Sequence, residues 1–247
     1  MKGDPKVAAS PPAAAPTRIA KVDARPEPIE LPVSRTAVVV VDLQNGYASP
    51  GGYRDLVGRD IAPARGVIEN TLRLVKQARS SGMTIVFLKN GWDPELKTSG
   101  GQGSPNWYKS NPLKLMRERA ELAGKILTHG TWDYEFVEDV RPLPGDFVVP
   151  KARYSGFCGT DLDGVLRARD VRHLIFTGIA SNVCVESTLR DAYFREYFCI
   201  FVEDATQQSG PSFIQDAVVY NVETFFGWVT DTRSICTALG ESEAGAS

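Results

Sequence analysis

The run Thr36-Ala-Val-Val-Val-Val41 constrains this chain more than any other stretch, because it is wholly apolar after the threonine and almost entirely β-branched. A strand that offers apolar side chains to both faces must be covered on both, which is the condition of a buried strand in a parallel sheet. Similar short runs recur at 84–88, 147–149, 173–177 and 198–202, and a last one is expected at 225–229. Between them lie segments with helical spacing at 63–81, 161–169, 183–195 and 211–222. Alternation of this kind predicts an α/β fold: a three-layer, doubly wound parallel sheet of about six strands with helices on both faces. Ligands in such folds bind beyond the carboxyl ends of the strands.

With 247 residues, 43% of them hydrophobic, the chain is long enough for one α/β domain with a full core. The first 30 residues are rich in alanine and proline and lack the continuous apolar segment of a signal peptide, so they are expected to be a disordered tail. The folded domain is placed at 31–240, and 241–247 is read as a flexible end. A net charge of -2 and the lack of any long basic run argue against a nucleic-acid partner. No apolar stretch approaches the roughly 20 residues that span a bilayer, so no membrane partner is expected. The four cysteines form no CxxC pair and are read as free thiols of a cytoplasmic protein. With two isolated histidines, His129 and His173, an imidazole-based metal centre or a Ser-His-Asp triad is hard to build.

The chemistry is read from strand ends. The first strand runs into Asp42, the third into Lys151, and the fourth into the turn that carries Cys184. In one parallel sheet these ends share an edge, so an acid, an amine and a thiol distant in sequence meet. Cys184 opens the helix at 183–195, where free N–H groups and the dipole favour a thiolate, and Lys151 is expected to lower the thiol pKa further. Asp42 is placed to accept the thiol proton and return it to a leaving amine. Taken singly, each has a plainer reading: a packed cysteine, a turn cap, a surface charge. The conjunction favours a nucleophile with its acid–base partner. Cys158, by contrast, reads as packing or pocket wall.

In this pattern the chain resembles the isochorismatase-like cysteine hydrolases, through Asp42, Lys151 and Gly178-Ile-Ala-Ser-Asn-Val-Cys-Val185. The resemblance covers roughly residues 30–240 and, within the superfamily, points to the ureidoacrylate amidohydrolases of pyrimidine-ring catabolism. The stretches that carry it include Asp42-Leu-Gln-Asn-Gly-Tyr-Ala-Ser-Pro-Gly-Gly-Tyr53, Asn90-Gly-Trp-Asp93, Arg153-Tyr-Ser-Gly-Phe157, Asn182-Val-Cys-Val-Glu-Ser-Thr-Leu-Arg-Asp191 and Glu223-Thr-Phe-Phe-Gly-Trp228. It implies hydrolysis of (Z)-3-ureidoacrylate to aminoacrylate and carbamate, which decays to CO2 and ammonia, through a thioester on Cys184. It further implies a cis peptide at Ile179-Ala180, an oxyanion hole made by the N–H groups of Ala180 and Cys184, and no cofactor. A homo-oligomer is expected.

For substrate binding, Tyr47, Tyr53, Trp92 and Tyr154 are candidates to wall a flat conjugated molecule, and Asn90 to hold the ureido group. Arg153 or Lys109 would meet its carboxylate. The long stretch 90–109, rich in glycine, is expected to fold over the three reactive residues as a lid. Two other readings stay open. One is hydrolysis of triuret, biuret or another carbamoyl compound. The other is a non-catalytic binding module, which loss of any of the three residues would have favoured. A dinucleotide-binding fold is disfavoured because no GxGxxG follows the first strand. With two histidines and neither in a ligand pattern, chelators should leave turnover unchanged; activity lost in chelator and restored by one divalent ion would overturn the metal-free reading.

Overall fold

The computed structural model describes residues 18–241. A short hairpin of β1 (Ile19–Val22) and β2 (Ile29–Pro32) precedes the main sheet. Then β3 (Thr36–Val41) enters the core with every residue buried, as its composition requires. Two single turns follow, α1 (Asn45–Ala48) and α2 (Tyr53–Leu56), before the long helix α3 (Ala64–Ser80) and strand β4 (Thr84–Asn90). The next stretch holds α4 (Pro105–Lys109) and α5 (Asn111–Glu118). The alternation resumes with β5 (Phe147–Lys151), α6 (Leu162–Ala168) and β6 (His173–Ile179). A π turn over Ser181–Val185 leads into α7 (Glu186–Tyr193). The chain continues through β7 (Phe198–Gln207), α8 (Phe213–Asn221), β8 (Trp228–Thr230) and α9 (Thr232–Ala238).

The six main strands lie in the order β5-β4-β3-β6-β7-β8, all parallel. Because successive side chains on a strand point to opposite faces, the valines of β3 feed two cores. Val38 and Val40 pack with Val67, Leu74 and Val75 of α3 and Ile235 of α9. Val39 and Val41 pack with Leu166 of α6, Leu189 of α7 and Val218 of α8. A third, smaller cluster of Tyr53, Trp92, Leu113, Met116, Ile126 and Leu127 sits apart from both and is built from the segments after β3, β4 and α4. Among the described residues no helix is long and apolar enough to cross a membrane.

The strand order places a switch point between β3 and β6. From β3 the chain builds outward through β4 to β5; it then returns to the other side of β3 to lay down β6, β7 and β8. A crevice forms at the carboxyl ends where neighbouring connections diverge in this way. The turns after β3 and β6 carry Asp42 and Cys184.

The N-terminal expectation needs correction. Residues 18–30 are not a tail: β1 pairs antiparallel with β2, and Ala20, Val22, Ile29 and Leu31 are buried against the α3 face. Of the prolines that suggested disorder, Pro26 and Pro28 fall between β1 and β2, where Arg25-Pro26 is cis, and Pro5, Pro11, Pro12 and Pro16 lie outside the described residues. Arg25 also bridges to β8, its N–H donating to Val229 O at 2.8 Å and its carbonyl accepting from Val229 N at 2.9 Å. Residues 1–17 and 242–247, the rest of the proposed tail and the flexible end, lie outside the described residues. The last strand is Trp228–Thr230 rather than 225–229, since Val222–Phe226 continues from α8 as a π turn.

Close approach of β6 to β3 depends on Gly178, which pairs with Val41 and has φ of +110°. A Cβ there would stand 2.0 Å from the carbonyl oxygen of Val41. Gly178→Ala should therefore lower stability by at least about 3 kcal/mol in urea unfolding, through strain and a backbone clash. Gly66→Ala, in an open position of α3, should instead raise stability by roughly 0.5–1 kcal/mol.

Candidate active site

Asp42 follows β3 directly and takes a left-handed backbone, φ 51°, which turns the chain sharply off the strand. Its N–H still reaches back to Leu88 O of β4, at 3.2 Å, so the residue is held at the sheet edge. Positive φ in a non-glycine residue is uncommon and collects at functional sites. Lys151 is the last residue of β5, in register with Asn90 at the end of β4. Its ammonium lies 2.7 Å from Asp42 Oδ2, and both side chains are fully buried. It also donates to Arg153 O at 3.1 Å. Cys184 lies close enough to Asp42 and Lys151 for the charges of both to act on its thiol. The three strand-end residues read from the sequence are thus brought into one group.

Electrostatics here are those of a buried, nearly neutral unit. Burial pushes the Asp42 carboxyl up, although Lys151 beside it pulls the other way. Burial also works against the ammonium of Lys151, but Asp42 and Cys184 outweigh it and hold its pKa above the ordinary value. The Cys184 thiol is raised, first by burial and then by the negative charge of Asp42; Lys151 lowers it, as the sequence implied, without reversing the balance. The expectation of a standing thiolate is therefore corrected. The arrangement is an Asp42–Lys151 ion pair beside a neutral thiol.

The turn that presents Cys184 has an unusual hydrogen-bond pattern. Ile179-Ala180 is cis. Ala180 O accepts from the N–H of Val183 at 3.0 Å and of Val185 at 3.1 Å, skipping the Cys184 N–H that lies between them. Ala180 O thus bonds on either side of the Cys184 amide, in the wide spacing of a π turn. Cys184 O accepts from Thr188 Oγ1 at 2.6 Å, which in turn accepts from Gly156 N at 2.9 Å, tying the first turn of the helix to the segment after β5.

Cys184 lies at the floor of a cleft of about 380 Å³. Tyr47, Tyr53 and Tyr154 line it, as the sequence suggested. Trp92 does not: it is 2% exposed, donates Nε1–H to Ala152 O at 3.3 Å, and belongs to the third core cluster. Asn90 is buried behind the wall, where its Oδ1 accepts from Tyr47 OH at 2.7 Å and its Nδ2 donates to Lys151 O at 3.3 Å. Arg153 turns away, donating Nη1–H to Thr98 O at 2.9 Å and to Ala152 O at 2.8 Å. Lys109 is exposed outside the cleft; its contact with the wall is its carbonyl, which accepts from Tyr154 OH at 3.3 Å. The segment over the cleft is not 90–109 either. The cover comes from α2 and the following loop (Arg54, Val57, Arg59) and from α5 (Asn111, Lys114, Leu115).

Two buried polar residues that sequence reasoning passed over hold this wall. Gln44 clamps the end of β4, its Oε1 accepting from Asn90 N at 2.8 Å and its Nε2 donating to Asn90 O at 2.9 Å and Tyr134 O at 2.7 Å. Asp133 accepts from Tyr53 N at 3.0 Å and Leu127 N at 2.8 Å, fixing the start of α2. Arg54, also missed, is 6% exposed in the cleft wall, and its Nε and Nη1 have no acceptor. Its only sequence signal was a cation placed next to a candidate wall tyrosine.

Comparison with known proteins gives a consistent result. A model described as the isochorismatase domain matches residues 36–234. Ureidoacrylate amidohydrolase RutB of Yersinia enterocolitica is 54% identical over 221 residues, covering 90% of this chain and 96% of that protein. The protein of the same name from Agrobacterium fabrum is 55% identical over 219 residues, covering 89% and 96%. Among solved structures, a cysteine hydrolase from Pseudomonas syringae pv. phaseolicola superposes with a TM-score of 0.69 at 28% identity, over 85% of this chain and 94% of that one. N-carbamoylsarcosine amidase from Thermoplasma acidophilum shares the fold at a TM-score of 0.59 and 24% identity, over 85% and 99%.

The charge arrangement predicts opposite effects of its two partners on the thiol. In Asp42→Asn the thiolate loses a neighbouring anion, so the Cys184 titration midpoint, read by thiolate ultraviolet absorbance, should move down while turnover falls. In Lys151→Met it should move up. Shifts of the same sign in both variants would contradict the assignment of charges.

Proposed function

The chain belongs to the isochorismatase domain family, and on that premise we propose that it hydrolyses ureidoacrylate, with Cys184 as nucleophile, Asp42 as acid–base and Lys151 holding their charges in place. The observation that carries the chemistry is the fully buried Asp42–Lys151 contact of 2.7 Å with the thiol close to both, at the floor of the cleft. The substrate reading rests on the likeness to the ureidoacrylate amidohydrolases, which spans about nine-tenths of this chain.

A ureido carbonyl is a poor electrophile because both nitrogens donate into it. Attack therefore needs a nucleophile generated in place and a receptor for the oxygen charge. Sγ adds to the carbonyl carbon as its proton passes to Asp42. The oxyanion is received by the N–H groups of Cys184 and Ala180, at the turn that presents the sulfur. One such donor is worth about 2.7–4 kcal/mol in the transition state. Collapse of the adduct expels an amine, to which Asp42 returns the proton, and leaves a thioester on Cys184. Water then attacks, with Asp42 as base, releasing carbamate, which decays to CO2 and ammonia. Lys151 keeps Asp42 ionised between steps, against the burial that would protonate it.

Cations in the cleft suit an anionic substrate. Arg54, Arg59 and Lys114 line it, in place of the Arg153 and Lys109 expected from sequence, and Arg54 stands there with buried donors and no partner. A buried guanidinium without an acceptor is costly, and a substrate carboxylate would relieve it. The aromatic faces of Tyr47, Tyr53 and Tyr154 suit a flat conjugated chain.

Cys184→Ala and Cys184→Ser should lower turnover of ureidoacrylate by at least about 1,000-fold with the fold intact, whereas Cys158→Ala, Cys199→Ala and Cys236→Ala should keep most of it. The substrate reading is tested by comparing kcat/KM for ureidoacrylate and triuret. If triuret, which has no carboxylate, is turned over as well as ureidoacrylate, hydrolysis of a neutral carbamoyl compound takes its place.

A further inference from the structure

Away from the cleft, the far end of the α7–α8 layer carries a concentration of exposed aromatic side chains. Phe194 is 67% exposed, Tyr220 64%, Phe225 57%, Phe198 48% and Tyr193 44%. Ring contacts link most of them into one patch. Tyr193 meets Phe194 at 5.6 Å and Phe226 at 5.5 Å, Phe226 meets Phe225 at 6.2 Å, and Phe225 meets Tyr220 at 6.2 Å. Phe198 joins Phe194, Phe225 and Phe226 in lining the shallow groove that runs through the patch. Nothing in the proposed hydrolysis uses this surface.

We propose that this aromatic face, centred on Phe194, Phe225 and Phe226, is where two copies of the chain associate about a twofold axis. The first argument is area. At about 200 Å² per aromatic residue, the exposed fractions amount to roughly 550 Å² of aromatic surface. That is near the upper end of the largest apolar patches of monomeric proteins, roughly 300–600 Å². It also matches the apolar share of one partner's side in a standard homodimer interface, about 65% of about 800 Å².

The second argument is charge. Two ion pairs at the patch close within the chain, while Glu27 and Glu196, which also line the groove, have no ion-pair partner among the described residues. Arg190 binds Glu186 at 2.6 Å while its guanidinium lies 4.1 Å over the Phe226 ring, and Glu223 binds Arg25 at 3.0 Å. A twofold interface must be self-complementary, and the aromatic centre, where Arg190 is neutralised by Glu186, meets a rotated copy of itself without like-charge conflict. Phe194, the most exposed ring of the patch, and Phe225, which joins Phe226 to Tyr220, would be the anchors, in the role that buried aromatic side chains usually take at interfaces.

Sedimentation velocity on the full chain tests this. The wild type should sediment as a dimer, or as a larger closed assembly containing that dimer, at micromolar concentration. The double variant Phe194→Glu, Phe225→Glu should weaken association by at least about 100-fold and sediment as a monomer with an unchanged far-ultraviolet spectrum. Leu143→Glu, which places the same charge on an exposed apolar residue elsewhere, should leave the assembly intact. A monomeric wild type, or a double variant that folds and associates as tightly as the wild type, overturns the proposal. So does a monomeric wild type that co-sediments with phosphatidylcholine vesicles, since the face would then belong to lipid. So, too, does a monomeric wild type that associates once residues 1–17 are deleted, since that segment would then be the occupant. If the double variant fails to fold, single Phe194→Ser and Phe225→Ser variants give the same reading, each expected to raise the dissociation constant about 10-fold.

Discussion

The ion pair between Asp42 and Lys151 sets the terms for everything around it. Two opposite charges taken wholly out of water are tolerable only if they are held together, since the cost of desolvation exceeds what a loose contact returns. The contact closes from two strands that are not neighbours: β4 runs between β3 and β5. The sheet must therefore bring the ends of three strands level, and the register does so, with Val41 opposite Leu88 and Asn90 opposite Lys151. Asn90 and Gln44 fill the space at these strand ends with hydrogen bonds, so the pair sits in a frame that is polar but fully engaged.

In the proposed mechanism, that pair is what lets so deeply buried a thiol act as the nucleophile. Thiolates in many cysteine enzymes are stabilised outright by a nearby cation. Here the cation is already neutralised by Asp42, and burial keeps the sulfur protonated. Separation of charge is deferred until a carbonyl is present to receive it. In the resting state no charge is left without a partner in the triad, and a thiol kept neutral resists adventitious oxidation and alkylation, which act on the thiolate.

How much of this was legible in the sequence follows from which contacts are local. The burial of β3, β4 and β6 was readable because a strand covered on both faces must be apolar throughout, and the residues at their carboxyl ends followed from parallel topology. The cleft wall was not readable, because its members come from separate irregular segments and only the fold brings Arg54, Asn111 and Lys114 opposite Cys184. Trp92 and Arg153 illustrate the difficulty. A tryptophan in a glycine-rich loop and an arginine beside a reactive lysine both look like binding groups. The first became core because Ile126, Leu127 and Leu113 cover it, and the second was taken up by the carbonyls of Thr98 and Ala152. The hairpin at 19–32 was hidden by composition, since its strands are too short for their alternation to stand out among prolines.

The hairpin has a consequence for the margin of the sheet. β8 is an edge strand, and such an edge presents unpaired amides and carbonyls to any other extended chain. Arg25 exchanges both backbone hydrogen bonds with Val229, and its guanidinium clasps Glu203 and Glu223 on either side of that bridge. The segment is thus a selvedge: it finishes the fabric on one side so that it does not ravel into a neighbour. A version of the chain trimmed to begin at β3 would keep the hydrolytic group whole and yet leave this border open, with strand-to-strand aggregation as the expected cost.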